Sequence, residues 1–349
     1  MYTIKRLLGF AAMFLISLNL SGQDIHFSQF YMSPQTLNPA MTGVMNCNSR
    51  FVANLRNQWA SVLGSEAYNT FSFGYDQKKP VGRDDYFGIG ASVFADVAGA
   101  TRFGMMQGKL HIAYSKKMGG ERGTSHYLSI GADVGVGQWA IRKGASELRW
   151  SSQHSNGQYD PDVAPGVIGM PNFLYGDIGI GLLWFSNFKE GSSFYAGVAA
   201  AHLNRPNVSF SNTDAVPLNS KYTFHAGGTL AMSNSVSLVP NIVALVQGPH
   251  NQLNLGSSLR FDVGGSGADA QGWQAGLWYR LSSSSVSSIH SDALIFTTRF
   301  DTGTYGLGFS YDYNISKLQE GGTLNGAFEL SLIYLICGNE KRGVYCPRF

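Results

Sequence analysis

The chain has 349 residues, enough for one large domain or two ordinary ones. Charged residues make up only 13%, aromatics also 13%, and there are 43 glycines, which excludes a disordered chain and argues against an ordinary cytosolic enzyme. The formal net charge is +3, but Lys5 and Arg6 lie in the leader, so the rest is close to neutral and nothing points to nucleic acid as a partner.

In chain order, residues 1–22 read as a secretory signal. Lys5 and Arg6 form the charged start, Leu7 to Leu20 the apolar centre, and Ser21-Gly22 small residues for cleavage. No later apolar run is long enough for a membrane-spanning helix, so a membrane role requires a closed barrel, because lipid satisfies no backbone hydrogen bonds. Residues 23–48 are then an irregular segment, expected on the periplasmic side. Pro34 and Pro39 would break a ladder, and Asn38-Pro39 starts a turn.

This stretch, "HFSQFYMSPQTLNPAMTG" followed closely by "RNQW", resembles the N-terminal signature of the PorP/SprF family of the type IX secretion system. The strand "NGAFELSLIYLI" and the ending "CPRF" are similar as well. The resemblance implies an integral outer-membrane β-barrel that exports or anchors large surface adhesins, in many members those used for gliding.

The rest of the chain has its own periodicity. In Tyr305, Leu307, Phe309, Tyr311 and Tyr313, large apolar residues alternate with Gly306, Gly308, Ser310, Asp312 and Asn314. Only a β-strand puts such residues on opposite faces. The same pattern predicts strands at 49–59, 66–76, 85–98, 103–118, 124–140, 172–187, 192–203, 221–233, 236–248, 251–263, 271–282, 291–302, 304–316 and 326–337. The fold class is therefore all-β: a transmembrane antiparallel barrel of about 14 strands, spanning 49–337. Tyr222, Phe224 and Leu230 are expected to face lipid, and Lys221, Thr223, His225 and Arg260 the lumen. A Lys or Arg on the lipid face near mid-bilayer would cost about 2–4 kcal/mol. Tyr127, Trp139, Tyr175, Trp184, Trp278 and Tyr334 are candidates for interfacial girdles.

The longest connections, 141–171 and 203–220, follow odd strands, as extracellular loops do when the N-terminus is periplasmic. Two connections after even strands, Gln77–Asp84 and Gly264–Ala270, are longer than that rule prefers. The first loop carries Trp150, His154 and Tyr159 with three prolines, and is the expected plug or partner contact. Asn38 and Pro39 are expected partner contacts on the other side.

The cysteines are Cys47, Cys337 and Cys346. Barrel closure brings the start of the first strand to the end of the last, so any pair is open, with Cys337–Cys346 slightly favoured. No histidine has a metal-ligand spacing, no nucleophile elbow or phosphate loop occurs, and no cofactor is expected. A Ser–His pair close together in the lumen would revive an enzyme reading.

The sequence thus points to a non-enzymatic outer-membrane barrel, integral in lipid. Its expected partners are a large secreted adhesin or other type IX components, with the tail 338–349 and segment 23–48 as periplasmic contacts. The alternative is a channel for a small solute.

Overall fold

The computed structural model describes residues 24–99, 101–121, 123–143, 148, 151–155, 158–164, 171–188, 191–211, 214–265, 271–283, 289–316 and 326–338. The expected leader, the tail beyond 338, Trp150 and Cys346 lie outside the described residues.

Fourteen strands close into one antiparallel barrel. They are β1 (Ser49–Gln58), β2 (Tyr68–Val81), β3 (Asp85–Ala98), β4 (Phe103–Gly119), β5 (Ser125–Ile141), β6 (Asn172–Asn187) and β7 (Ser193–Ala201). The second half is β8 (Lys221–Ala231), β9 (Val236–Gln247), β10 (His250–Gly264), β11 (Gln271–Ser283), β12 (His290–Asp301), β13 (Tyr305–Asn314) and β14 (Ala327–Ile336). Each strand pairs with its sequence neighbours, and β1 closes on β14 from Ser49↔Ile336 to Gln58↔Ala327. Closure leaves no exposed edge, the condition for sheet in lipid.

The outward face is a band of apolar side chains, including Leu110, Ile130, Leu174, Phe224, Leu255, Leu307 and Leu330, all exposed at the barrel surface. Lys109, Lys221, Arg260 and Asp312 turn inward, as the alternation requires.

The predicted strands stand, with one shift. The second runs on to Val81 rather than ending near 76, through Pro80, and its turn shrinks to Gly82–Asp84. One of the two long even-strand connections is therefore strand. The barrel now has a turn end, with Gly82–Asp84, 188–192, 232–235 and 302–304, and an opposite loop end carrying 59–67, 142–171 and 202–220. The loop end also holds two tight connections, Gly99–Arg102 and Gly248-Pro249.

The girdle expectation needs correction. Trp184 does point outward, and Tyr334 stacks with Tyr305 and Phe51 beside the β1–β14 seam. Tyr127, Tyr175 and Trp278 face inward and are buried, and Trp139 packs on Tyr175 within the mouth. Their positions fall on the inward parity of their strands, where something apolar occupies the lumen.

Candidate functional site: the filled lumen

That occupant is the N-terminal segment. Residues 24–48, expected beside the barrel on the periplasmic side, run inside it instead. Phe30, Tyr31, Met32, Leu37, Ala40, Met41 and Val44 are buried and form one core with Tyr86, Tyr127, Leu183, Phe185, Trp278 and Ile295 of the wall. The physical reason is composition. The segment is rich in large apolar residues but lacks strand periodicity, and burying a Phe, Leu or Met side chain contributes about 1.5–3 kcal/mol. Short turns at Phe30–Met32, Pro34–Leu37 and Pro39–Met41 let it coil, with the prolines at the turn starts, where their missing N–H costs least.

The wall makes room with glycine. A Cβ on Gly131 would meet the backbone N of Ala40 at 2.5 Å, and one on Gly88 the carbonyl O of Thr42 at 2.1 Å. Side chains here would push the plug's backbone off the strands.

Polar wall residues satisfy the plug's backbone, in order from the loop end to the turn end. At the loop end the Asp24 N–H donates to Gln247 Oε1 at 2.8 Å, and the Asp24 carboxylate meets His202 Nε2 at 2.7 Å and Lys221 Nζ at 3.1 Å. His202 Nδ1 lies 2.8 Å from Asp177 Oδ1, and Lys109 bridges Asp177 and Asp133. Burial alone would lower the His202 pKa. The Asp24 charge and the hydrogen bonds to Asp177 and Asp24 outweigh it and push it up to about 9. Burial would raise Asp24, but Lys221 and His202 hold it well below the usual carboxylate range. Both His202 nitrogens face carboxylates, so both carry protons and the ring is a cation at neutral pH.

A little deeper, the Glu329 carboxylate accepts the N–H groups of Ser28 at 2.6 Å and Gln29 at 2.9 Å. Arg56 pairs with Glu329 and, at 2.9 Å, with Asp312, which Arg280 also reaches at 2.8 Å.

Midway, Asn38 Nδ2 donates to the carbonyls of Leu182 and Val198, and Ser129 Oγ donates to Ala40 O at 2.7 Å. Near the turn end, Arg50 grips Asp76 through Nε and Nη2 at 3.0 and 2.8 Å and also donates to the carbonyls of Met41 and Val44. The Gly43 N–H donates to Asp76 Oδ2 at 2.7 Å, and Lys78 Nζ donates to Met45 O at 3.1 Å. The plug thus descends the whole lumen, from Asp24 at the loop end to Cys47 at the turn end.

There Cys47 forms a disulfide with Cys337, which corrects the slight preference for Cys337–Cys346. Ser49 and Ile336 are register partners at the seam, so the residues flanking them are adjacent before any tail folds. Asn38 and Pro39 are corrected too. Both are buried within the lumen and offer no surface to a partner.

Of the loop expected as plug, the described part contains a two-residue hairpin in which His154 pairs with Tyr159, both exposed, their rings 5.5 Å apart. Among the described residues, those of loop 202–220 fold over the mouth. Val208 and Leu218 pack with Phe94, Met105 and Tyr175, and Phe210 contacts Phe173 and Trp139.

Among the described residues, Ser92 Oγ lies 2.7 Å from His111 Nε2 in the lumen. The next carboxylate, Asp133 Oδ2, is 3.9 Å from His111 Nδ1, beyond hydrogen-bond distance, and Asp133 is paired with Lys109 at 2.9 Å. The adjoining cavity against the plug holds only about 50 Å³. The group that would orient the imidazole and the space for an acyl substrate are both wanting. Among the described residues no cluster of three or more His, Cys, Asp or Glu is arranged to hold a metal.

Fold and lumen together define a transmembrane β-barrel of the outer-membrane type, closed at its seam and filled by its own N-terminal segment. The family model for the type IX secretion system membrane protein PorP/SprF matches residues 19–334, and the chain belongs to that family. No curated protein matches the chain. Among solved structures it is similar to CdiB from Escherichia coli, at 10% identity and TM-score 0.45, covering 81% of this chain and 63% of that one. It is also similar to the TodX monoaromatic hydrocarbon channel (deltaS2 mutant), at 9% identity and TM-score 0.42, covering 85% of this chain and 92% of that one. A third is the Ralstonia pickettii toluene transporter TbuX, at 9% identity and TM-score 0.42, covering 86% and 92%. The chain thus spans under two thirds of CdiB, and likenesses this distant carry no functional argument.

Proposed function

We infer that this protein is a non-enzymatic station of type IX secretion that secretes or anchors a large cell-surface adhesin of the kind used in gliding. The observation that carries this is the filled lumen. The plug is bonded to the wall from Asp24 to Met45 and tied to the seam by Cys47–Cys337. Such a barrel suits a fixed mount better than a conduit. With the short turns taken as periplasmic and the long loops as extracellular, the adhesin's contacts are the loops 142–171, carrying Trp150, His154 and Tyr159, and 202–220. The tail after Cys337 is then the periplasmic contact for other components of the machine.

The test is a pull-down from detergent-solubilised outer membranes with a tag in the 142–171 loop, read by mass spectrometry. A large surface protein in near-equal amount supports the anchor. Periplasmic type IX components without it move the protein into the core machine. Neither, together with a steady open pore in planar bilayers, leaves the solute channel.

A further inference from the structure

The lipid-facing wall is not smooth. Between β3 and β8 it is recessed into a groove of about 690 Å³, lined by Phe87, Tyr114, Ile130, Ile180, Ala200 and Tyr222 among others. The recess arises where small outward residues sit among large ones. Ala132 lies opposite Ile112, and Ala200 lies between Ile180 and Tyr222 across the strands. A volume of this size is within the range of small-ligand sites.

The groove follows the cross-strand direction. Strands in such barrels tilt by about 35–45°, so a groove across them is inclined through the bilayer rather than lying flat in it. On β3 and β4 it starts near the turn end, at Phe87 and Tyr114. On β8 it finishes at Tyr222, one residue from the loop end of that strand.

Its turn end is cationic. Lys79 is the register partner of Phe87, and Lys116 follows Tyr114 on the same outward face of β4; both are exposed. Arg83, in the adjoining turn, is exposed as well. Asp85 lies within electrostatic reach of Lys116, but it and Asp84 are each held by other donors as well. Asp85 accepts from Tyr114 Oη at 2.7 Å and from the Lys117 N–H at 2.9 Å, and Asp84 pairs with Lys117 Nζ at 3.2 Å. Glu121 lies further out, in the β4–β5 turn.

An inclined apolar trough ending at two outward lysines has the chemistry of a lipid with an anionic head. We propose that this groove is a binding site for an anionic glycerophospholipid of the leaflet at the turn end. One acyl chain lies along Phe87, Ile130, Ile180 and Ala200, and the head-group phosphate sits between Lys79 and Lys116. Phosphate attraction to lysines at a membrane surface supplies the selectivity, and the recessed wall supplies retention. The site owes nothing to the lumen, so it stands or falls apart from the anchoring reading.

The test uses the purified full-length protein, delipidated in detergent. Phosphatidylglycerol or phosphatidylcholine with identical acyl chains is added, and bound lipid is counted by native mass spectrometry. Phosphatidylglycerol should be retained about tenfold more strongly. Lys79→Gln with Lys116→Gln should bring the two lipids level, and Ala200→Trp, which fills the trough, should reduce both. Heat-dependent gel mobility checks that each variant is still a barrel. Equal retention of the two lipids by the wild-type protein overturns the proposal, and so does a preference that survives in the double lysine variant. A photo-crosslinker at Ile180 that captures another protein in membranes rather than lipid overturns it as well.

Discussion

Arg56 shows how single residues hold this molecule together. Its guanidinium is buried between Glu329 and Asp312, and Glu329 in turn holds the backbone of Ser28 and Gln29. Replacing Arg56 by Ala leaves Glu329 without its cation, while Asp312 keeps Arg280. Breaking a buried pair by removing one partner costs about 3–5 kcal/mol. The expected outcome is a loss of that order in urea unfolding of the barrel in lipid vesicles, larger than that for Lys116→Gln on the outer surface.

His202 carries the second residue-scale prediction. Its pKa in the fold is raised from 6.5 to about 9 by Asp24 and Asp177. Its contribution is therefore full below about pH 6.5 and is lost as the pH rises through about 9. Asp24 is shifted the other way and stays ionised across that window. Hydrogen-exchange protection at residues 24–27, corrected for intrinsic rates, should fall between pH 6.5 and 9. Protection at residues 38–44, held by uncharged donors and by Arg50, should not. A uniform change along the plug would show that the His202 contacts do not pin its upper end.

Among the elements, the seam is doubly closed. The full β1–β14 ladder is backed by a disulfide between residues 290 positions apart. A disulfide typically contributes about 2–4 kcal/mol. Cys47→Ser with Cys337→Ser should lower the unfolding midpoint accordingly, and a reductant should do the same to the wild-type protein but not to the variant.

The strands themselves were legible in the sequence because their signal is local: Tyr305 to Asn314 declares its two faces within ten residues. The plug was not. Phe30, Met32, Leu37 and Met41 follow no period, and their partners Trp278 and Ile295 lie far along the chain. A signal did exist. Inward-parity aromatics such as Tyr127, Tyr175 and Trp278 are out of place facing a watery pore, and so many unpaired apolar residues before the first strand needed a home. Pairings such as Asp24 with His202, or Ser28 with Glu329, depend on closure of the whole barrel, and no spacing rule finds them.

At the scale of the whole molecule, a fourteen-stranded barrel is wide enough to conduct unless its interior is occupied. Here the interior is occupied by the chain itself. Ionic and hydrogen-bonded contacts are spread along the plug, and its lower end is covalently held. Transient loss of one contact therefore leaves the others in place. In planar bilayers the wild-type protein should give no steady conductance, with or without reductant. Deleting residues 24–45 should leave a barrel, judged by heat-dependent gel mobility, with a permanent open pore. That result would place the seal in the plug and not in the loops over the mouth. If the deleted barrel stays closed, loop 202–220 is the seal. If the intact protein conducts steadily, the plug is loose in the membrane, and the case for a fixed mount over a solute channel is lost.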